Sequence, residues 1–255
     1  YVGEDTPGEV TNILLTDRGN GTVRLTWDAP TLGIHGGYID PAKVKYEVTD
    51  AAGNTATLTA CTYEPSVDVP AEGQSMTWFS IRPRSLKGKG PICQSDTLFL
   101  GRAFAMPFEE SFSHRGLDFQ PWNLQELDGV EWSLMGYGSY ADPQDADGGM
   151  VAFINALPEG GAKLVSPKIS LSGAHPTLRF WMFHHPLGRN ALTVQLRDAD
   201  GGLHTLGQLQ TADTAEEQGE WQLHTFGLED YEALGDVQLI FRGESHLSEA
   251  LMHAF

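Results

Sequence analysis

The loop at positions 142–149 carries the residue types best suited to binding a metal ion. Asp142, Asp145 and Asp147 lie close together there, and Gly148 and Gly149 close the loop. Calcium takes about six to eight oxygen ligands from carboxylates and loop carbonyls, and glycine permits the tight backbone that such a loop requires. The spacing is not that of an EF-hand, and the closing Glu of that motif is missing. The loop therefore predicts either a structural calcium site or an acidic, solvated turn.

Aromatic residues beside this loop suggest a second kind of chemistry. Trp122, Trp132, Tyr137 and Tyr140 lie close together in the sequence. Exposed aromatic rings stack on the apolar faces of sugars, while acids and amides bind the sugar hydroxyls. Large aromatic side chains also dominate protein cores, so Trp122 and Trp132 could be core residues instead. We expect glycan contacts from Tyr137 and Tyr140, which lie in a glycine-rich stretch, and from Trp122 where its ring is exposed.

The sequence lacks the residue patterns of common enzyme sites. It has no Gly-x-Ser-x-Gly elbow, no His-Glu-x-x-His motif and no glycine-rich phosphate loop. His184 and His185 are adjacent, and adjacent residues of a regular strand face opposite sides, so the two cannot chelate one ion together. We expect a strand-end pair with one histidine packed. The sequence predicts that the chain is not an enzyme and has no catalytic residues.

The charge is strongly negative and uneven. The chain carries 16 basic and 34 acidic residues, a net charge of −18. Residues 1–102 hold 9 basic and 12 acidic side chains, whereas residues 103–255 hold 7 and 22, so the net charges are −3 and −15. An acidic second half repels nucleic acid and anionic membrane surfaces. No apolar run approaches the roughly 20 residues that span a bilayer, so we expect neither nucleic-acid binding nor membrane insertion.

Short strands must position these candidate sites, because apolar and polar residues alternate along much of the chain. Alternation with a period of two is typical of strands with one buried face, and frequent glycine-containing turns separate the runs. The clearest alternating runs are 23–27, 44–48, 77–85, 192–197 and 237–242. The pattern predicts an all-β chain of two domains, residues 1–102 and 103–255, with the junction near 101–107.

The two cysteines, Cys61 and Cys93, each lie in a strand-like run. Two cysteines are too few for a disulfide scaffold. A single bridge is possible, and two buried thiols that act as small apolar groups are the alternative.

The first domain contains LTWDAP at 25–30 and strand-like stretches at 10–13, 46–48, 79–90 and 93–100. In these stretches it resembles a fibronectin type III domain, in which Trp27 corresponds to a core residue. The family's corner Tyr is replaced by Thr77, and the loop at 32–40 is lengthened. The resemblance implies an immunoglobulin-like sandwich in which this loop is either a contact surface or packed.

The second domain contains FEESF at 108–112, LVSPKISL at 164–171 and the stretches 121–122, 126–132, 176–181, 219–222 and 237–242. In these stretches it resembles the jelly-roll of MAM and cleaved-adhesin proteins. The resemblance implies a concanavalin-like or galactose-binding-like β-sandwich. It also implies that Glu110 and Asp128 complete the calcium site with the acidic loop. The family's closing acidic strand would begin just where this chain ends, at Phe255.

Together the resemblances imply a non-catalytic adhesion or ligand-binding module of a secreted or cell-surface bacterial protein. Its partner would be an extracellular glycan or protein bound through the jelly-roll loops. Because the chain begins at Tyr1 without Met, we expect it to be part of a larger protein. Two alternatives stay open: ancillary domains of a larger secreted peptidase or glycoside hydrolase, and a pure spacer. A spacer predicts no exposed aromatic platform.

Overall fold

The computed structural model describes residues 3–112, 122–125, 130–135, 141–144, 148–155, 159–173 and 175–246. The chain forms two compact units, Tyr1–Arg102 and Ala103–Phe255. Apart from two short 3₁₀ helices at Pro41–Lys43 and Glu229–Leu234, the regular structure of the described residues is β-strand. None of the described helices is long and apolar enough to cross a membrane. The predicted all-β class is confirmed, and the strands form several sheets.

The first unit is built from short, mostly antiparallel strands. They are β1 (Thr11–Gly19), β2 (Thr22–Asp28), β3 (Lys45–Asp50), β4 (Thr55–Leu58), β5 (Thr62–Tyr63), β6 (Gln74–Thr77), β7 (Phe79–Ser85), β8 (Gly88–Lys89), β9 (Cys93–Gln94) and β10 (Leu98–Gly101). One sheet has the order β1-β2-β5, the other has β4-β3-β7-β8 with β9 also on β7, and β6 pairs with β10.

The core of the first unit follows the alternation of its strands. Trp27 is buried, as the resemblance implies, and its ring meets that of Tyr46 edge-on at 5.2 Å. Thr77 is buried at the position of the missing corner Tyr. Just beyond it, the hydroxyl of Ser95 accepts the backbone N–H of Phe79 at 3.1 Å. Cys61 and Cys93 are free, half-buried thiols, and burial raises the pKa of Cys93.

A buried carboxylate orders the lengthened loop at 32–40. The Asp5 side chain is 5 % exposed. It accepts the backbone N–H groups of Thr6, His35 and Gly37, and its Oδ1 lies 2.9 Å from Nδ1 of His35. A Cβ placed on Gly33 would lie 2.4 Å from Asp5 atoms, so glycine is required for the backbone to approach this closely. The loop is packed around Asp5, with Ile39 buried in the core and Leu32, Ile34 and Tyr38 exposed to solvent.

The second unit is built from longer strands. They are β11 (Asn123–Gln125), β12 (Val130–Met135), β13 (Met150–Asn155), β14 (Glu159–Val165), β15 (Ile169–Ser170), β16 (Thr177–His184), β17 (Asn190–Arg197), β18 (Leu203–Gln210), β19 (Glu220–Gly227) and β20 (Asp236–His246).

Strand β20 is the centre of the larger sheet of this unit. The sheet has the order β11-β14-β20-β17-β18, and β15 also pairs with β20. The ladders β12–β13 and β16–β19 are antiparallel pairs. Val194, Leu196 and Val237 are among the buried residues of the core, and Leu178, Phe180 and Met182 of β16 pack against it. The buried face of the β16–β19 ladder is therefore fixed by the core, and its other face is directed outward.

Candidate functional site

Most residues of the predicted calcium and glycan loop lie outside the described residues. These are Asp128, Tyr137, Tyr140, Asp145 and Asp147, and their roles stay predictions. Asp142 is described and exposed. Its backbone carbonyl accepts the indole N–H of Trp221 at 3.1 Å. Within the described ranges, no group of three or more His, Cys, Asp or Glu residues is arranged to hold a metal ion.

Glu110 and Trp122, two other predicted site residues, bond to each other. Oε2 of Glu110 accepts the indole N–H of Trp122 at 3.2 Å, and Oε1 accepts the backbone N–H of Phe112 at 2.7 Å. The carboxylate thus satisfies the polar edge of an otherwise apolar ring. A further role for Glu110 as a calcium ligand stays a prediction.

Trp122 is a core residue, so it does not supply an open ring for a sugar. Its side chain is 7 % exposed, and the ring packs against Phe112 at 5.3 Å and Phe241 at 6.3 Å. Burial of so large an apolar surface stabilises the fold and leaves no ring face for stacking. Trp132 is also packed inward: its indole N–H donates to the Ala162 carbonyl at 3.0 Å. The alternative that both tryptophans belong to the core is the correct one.

The structure places a different aromatic group on the surface, on strands β16 and β19. Cross-strand pairing sets Trp181 opposite Leu223 and Phe183 opposite Trp221. Since Phe180 and Met182 point into the core, alternation directs Trp181 and Phe183 to the other side. We call the set Trp181, Phe183, Trp221 and Leu223 the aromatic face.

Part of the aromatic face is exposed to solvent, and the rest is fixed by contacts with neighbouring groups. Trp181 is 46 % exposed and Leu223 is 38 % exposed. The rings of Phe183 and Trp221 meet edge-on at 5.6 Å with an interplanar angle of 68°. The bond from Trp221 to the Asp142 carbonyl fixes the second indole. This arrangement holds aromatic side chains in fixed positions at the surface.

Polar groups border the aromatic face at one end. Arg179 and Thr225 form the next cross-strand pair on the same side of the ladder, and both are exposed. A guanidinium group donates hydrogen bonds, and a hydroxyl group both donates and accepts. The face therefore combines stacking surface with groups that can bind hydroxyls.

Two histidines lie on the opposite, core-facing side of the same strands. His184 is 1 % exposed, and its Nε2 lies 2.8 Å from Nε2 of His224. Burial lowers the pKa of both histidines, while the charges of Asp213 and Glu220 act in the opposite direction on the pKa of His184. One histidine of the adjacent pair at 184 and 185 is packed, as expected.

The aromatic face was not among the predicted sites, although the sequence of β16 contains an indication of it. A strand between core and solvent has polar residues on its outer side. In β16, large aromatic residues occupy both sides: Phe180 inside, Trp181 and Phe183 outside. Two large aromatic residues on the outer side of one strand depart from that pattern.

Comparisons with known proteins gave structural likenesses only. No family model and no curated protein matches the chain. A solved structure described as a study of the promiscuous specificity of carbohydrate-binding modules from the β-sandwich superfamily is 10 % identical. It covers 91 % of this chain and 90 % of its own, with a TM-score of 0.38.

Two chicken structures give similar values. The CNTN1 FN1–FN3 domains are 11 % identical, with 88 % of this chain and 58 % of that chain covered and a TM-score of 0.29. The interferon gamma receptor alpha chain is 12 % identical, with 88 % and 83 % covered and a TM-score of 0.27. Because these TM-scores are low, the fold description rests on the strand order of the chain itself.

Proposed function

We propose that this chain is a non-catalytic, extracytoplasmic ligand-binding module and that the aromatic face of β16 and β19 binds glycan. The observation that carries the proposal is the 46 % exposure of Trp181 on a regular strand whose other face is core. Exposed apolar surface gathered in one place is a feature of interaction sites in soluble proteins. The proposed site is therefore a sheet face, whereas the sequence suggested a site in the jelly-roll loops.

Several features support glycan over the other ligand class, protein. Sugars present flat apolar faces that match an indole ring, and their hydroxyls match the guanidinium and hydroxyl groups of Arg179 and Thr225. A protein interface of standard size would need an extended apolar centre with a polar rim, about 800 Å² on each partner. The aromatic face comprises two cross-strand pairs, which is a small surface for that purpose.

The aromatic face also bears on the two alternative functions, a pure spacer and the ancillary domains of a larger hydrolase. A pure spacer needs no exposed aromatic platform, so the aromatic face argues against a spacer function. Ancillary domains of a larger secreted hydrolase would use such a face to hold the enzyme on its substrate. That role fits the proposed binding, as does adhesion by a MAM-like or cleaved-adhesin-like surface protein.

The proposal is tested by truncating the aromatic face and measuring glycan binding. Wild type is screened on an array of immobilised glycans, and positive glycans are then titrated with Trp181→Ala and Leu223→Ala. We expect Trp181→Ala to weaken binding at least tenfold, a loss of about 1.4 kcal/mol. Leu187→Ala and Leu203→Ala are matched controls, because both leucines are exposed and lie off this ladder.

Thermal unfolding of each variant shows whether its fold is intact. Since Trp181 is partly in solvent, its truncation should leave the midpoint close to that of wild type. A blank array with wild type, or unchanged titrations with folded Trp181→Ala, would overturn the proposal.

A further inference from the structure

The shape of the aromatic face indicates which part of a glycan it contacts. On β16, the outward residues run from Arg179 to Phe183, a distance of roughly 13 Å at about 3.3 Å per residue. Trp181 and Trp221 are diagonal neighbours in the ladder, for which the spacing is about 7–8 Å. One sugar ring covers a single indole, so a sugar unit stacked on the exposed Trp181 would place the next unit of a chain beside the half-buried Trp221.

The face is also open rather than pocket-like. Trp181 and Leu223 are both exposed, and they form one cross-strand pair in the middle of the outward surface of the ladder. Recognition of a chain end requires a wall that excludes the next sugar unit. Among the described residues, the outward surface continues past Trp181 through Arg179 and Thr225, which are both exposed, so a chain can extend in that direction.

The charge of the second unit argues against an anionic glycan. Residues 103–255 carry 7 basic and 22 acidic side chains, so a polyanion is repelled at long range. Exposed charges act over about 8 Å at physiological salt. Close to the face, the guanidinium of Arg179 stands at one end, and the exposed carboxylate of Asp142 belongs to the loop that holds Trp221. Among the described outward residues of β16 and β19, Arg179 is the one cation, and a single cation does not form the basic cluster that uronate or sulfate groups need.

We infer that the aromatic face takes an internal stretch of a neutral, extended polysaccharide, in preference to an anionic glycan or a single terminal sugar. This inference rests on the proposed function. Stacking on Trp181 and Trp221 would supply most of the binding, and hydrogen bonds from Arg179 and Thr225 to sugar hydroxyls would fix the chain at one end. Binding of this kind depends little on salt, because no charge is neutralised.

The test uses affinity electrophoresis of the whole chain in gels that contain one soluble polysaccharide each. The neutral probes are hydroxyethylcellulose, xylan and galactomannan, and the anionic probes are polygalacturonate and heparin. We expect retardation by at least one neutral polymer, unchanged at high salt and lost in Trp181→Ala. For that polymer, calorimetric titration should give at least tenfold tighter binding of a hexasaccharide than of its monosaccharide.

The other outcomes separate this inference from the proposed function. Retardation by an anionic polymer alone, sensitive to Trp181→Ala, would overturn the neutral assignment and leave glycan binding at the face intact. Equal affinities for monosaccharide and hexasaccharide would overturn the assignment to a chain and again leave the face intact. Retardation that Trp181→Ala does not change, or no retardation by any probe together with a blank glycan array, would overturn the proposed function and this inference with it.

Discussion

Nε2 of His184 and Nε2 of His224 lie 2.8 Å apart directly behind the aromatic face, on the core side of the same two strands. A neutral imidazole has one N–H and one acceptor nitrogen, so a single proton fits between the two rings. A proton on both nitrogens would oppose two donors in a setting where His184 is 1 % exposed. The contact is therefore stable only while at least one of the two histidines is neutral.

The first prediction is that this pair makes the stability of the chain fall in mild acid. Burial lowers the pKa of both histidines from the ordinary value of 6.5. The two histidines make their full contribution to the unfolding free energy above pH 6.5. This contribution is lost as the pH falls from there through their lowered pKa values in the folded state. We expect His224→Gln to show a weaker decline of unfolding free energy than wild type below pH 6.5, measured by urea titration.

His175→Gln is the matched control, because His175 is exposed and lies just before β16, the strand that contains His184. Its stability should follow the wild-type pH dependence. If His224→Gln and His175→Gln decline alike, the buried pair is not the titrating group. The charges of Asp213 and Glu220 favour a protonated His184, so removing either charge should steepen the decline.

The second prediction concerns Asp5 and the loop that it orders. The hydrogen bond with the His35 ring and the backbone N–H groups of His35, Gly37 and Thr6 lower the Asp5 pKa to about 2, against the effect of burial. A depressed carboxyl pKa stabilises the fold above its ordinary value of 3.8. This contribution is lost as pH falls from there through about 2.

Asp5→Asn removes the charge and one acceptor oxygen while keeping the side-chain size. We expect its unfolding midpoint to lie several degrees below wild type at neutral pH, because the backbone N–H groups of the loop lose a shared acceptor. The gap should narrow as pH approaches 2, where the wild-type Asp5 carboxylate begins to be protonated as well. A carbon-detected NMR titration of the Asp5 carboxyl group measures the pKa directly, and an ordinary value would contradict the assignment.

Sequence reasoning was accurate where a feature is local and missed what depends on strand register. The alternation at 23–27 is enough to bury Trp27, because one side of a strand must face a core. The contact between His184 and His224 joins residues 40 positions apart, and no local pattern specifies that pairing. Trp122 is a different case, because a tryptophan is typical both of a core and of an exposed binding surface. Only its packing against Phe112 and Phe241 shows that it belongs to the core.

The last prediction concerns Ser166, which belongs to the LVSPKISL stretch that suggested the jelly-roll. Its side chain is fully buried at the end of β14. The hydroxyl donates to the Pro167 carbonyl at 2.8 Å and accepts the Leu239 backbone N–H, also at 2.8 Å. Ser166 thus satisfies a buried donor of β20, the strand at the centre of the larger sheet.

Ser166→Ala leaves the N–H of Leu239 buried without this acceptor, which costs about 1–3 kcal/mol. A loss of that size lowers the midpoint by about 2–4 °C for each kcal/mol in a unit of this length. Ser166→Thr keeps the hydroxyl and should retain more of the stability. Ser172→Ala is the control, because its hydroxyl bonds to that of Ser170 at 2.8 Å on the exposed surface. A midpoint for Ser166→Ala equal to that of Ser172→Ala would show that the bond to β20 contributes nothing, and the role assigned to Ser166 would be wrong.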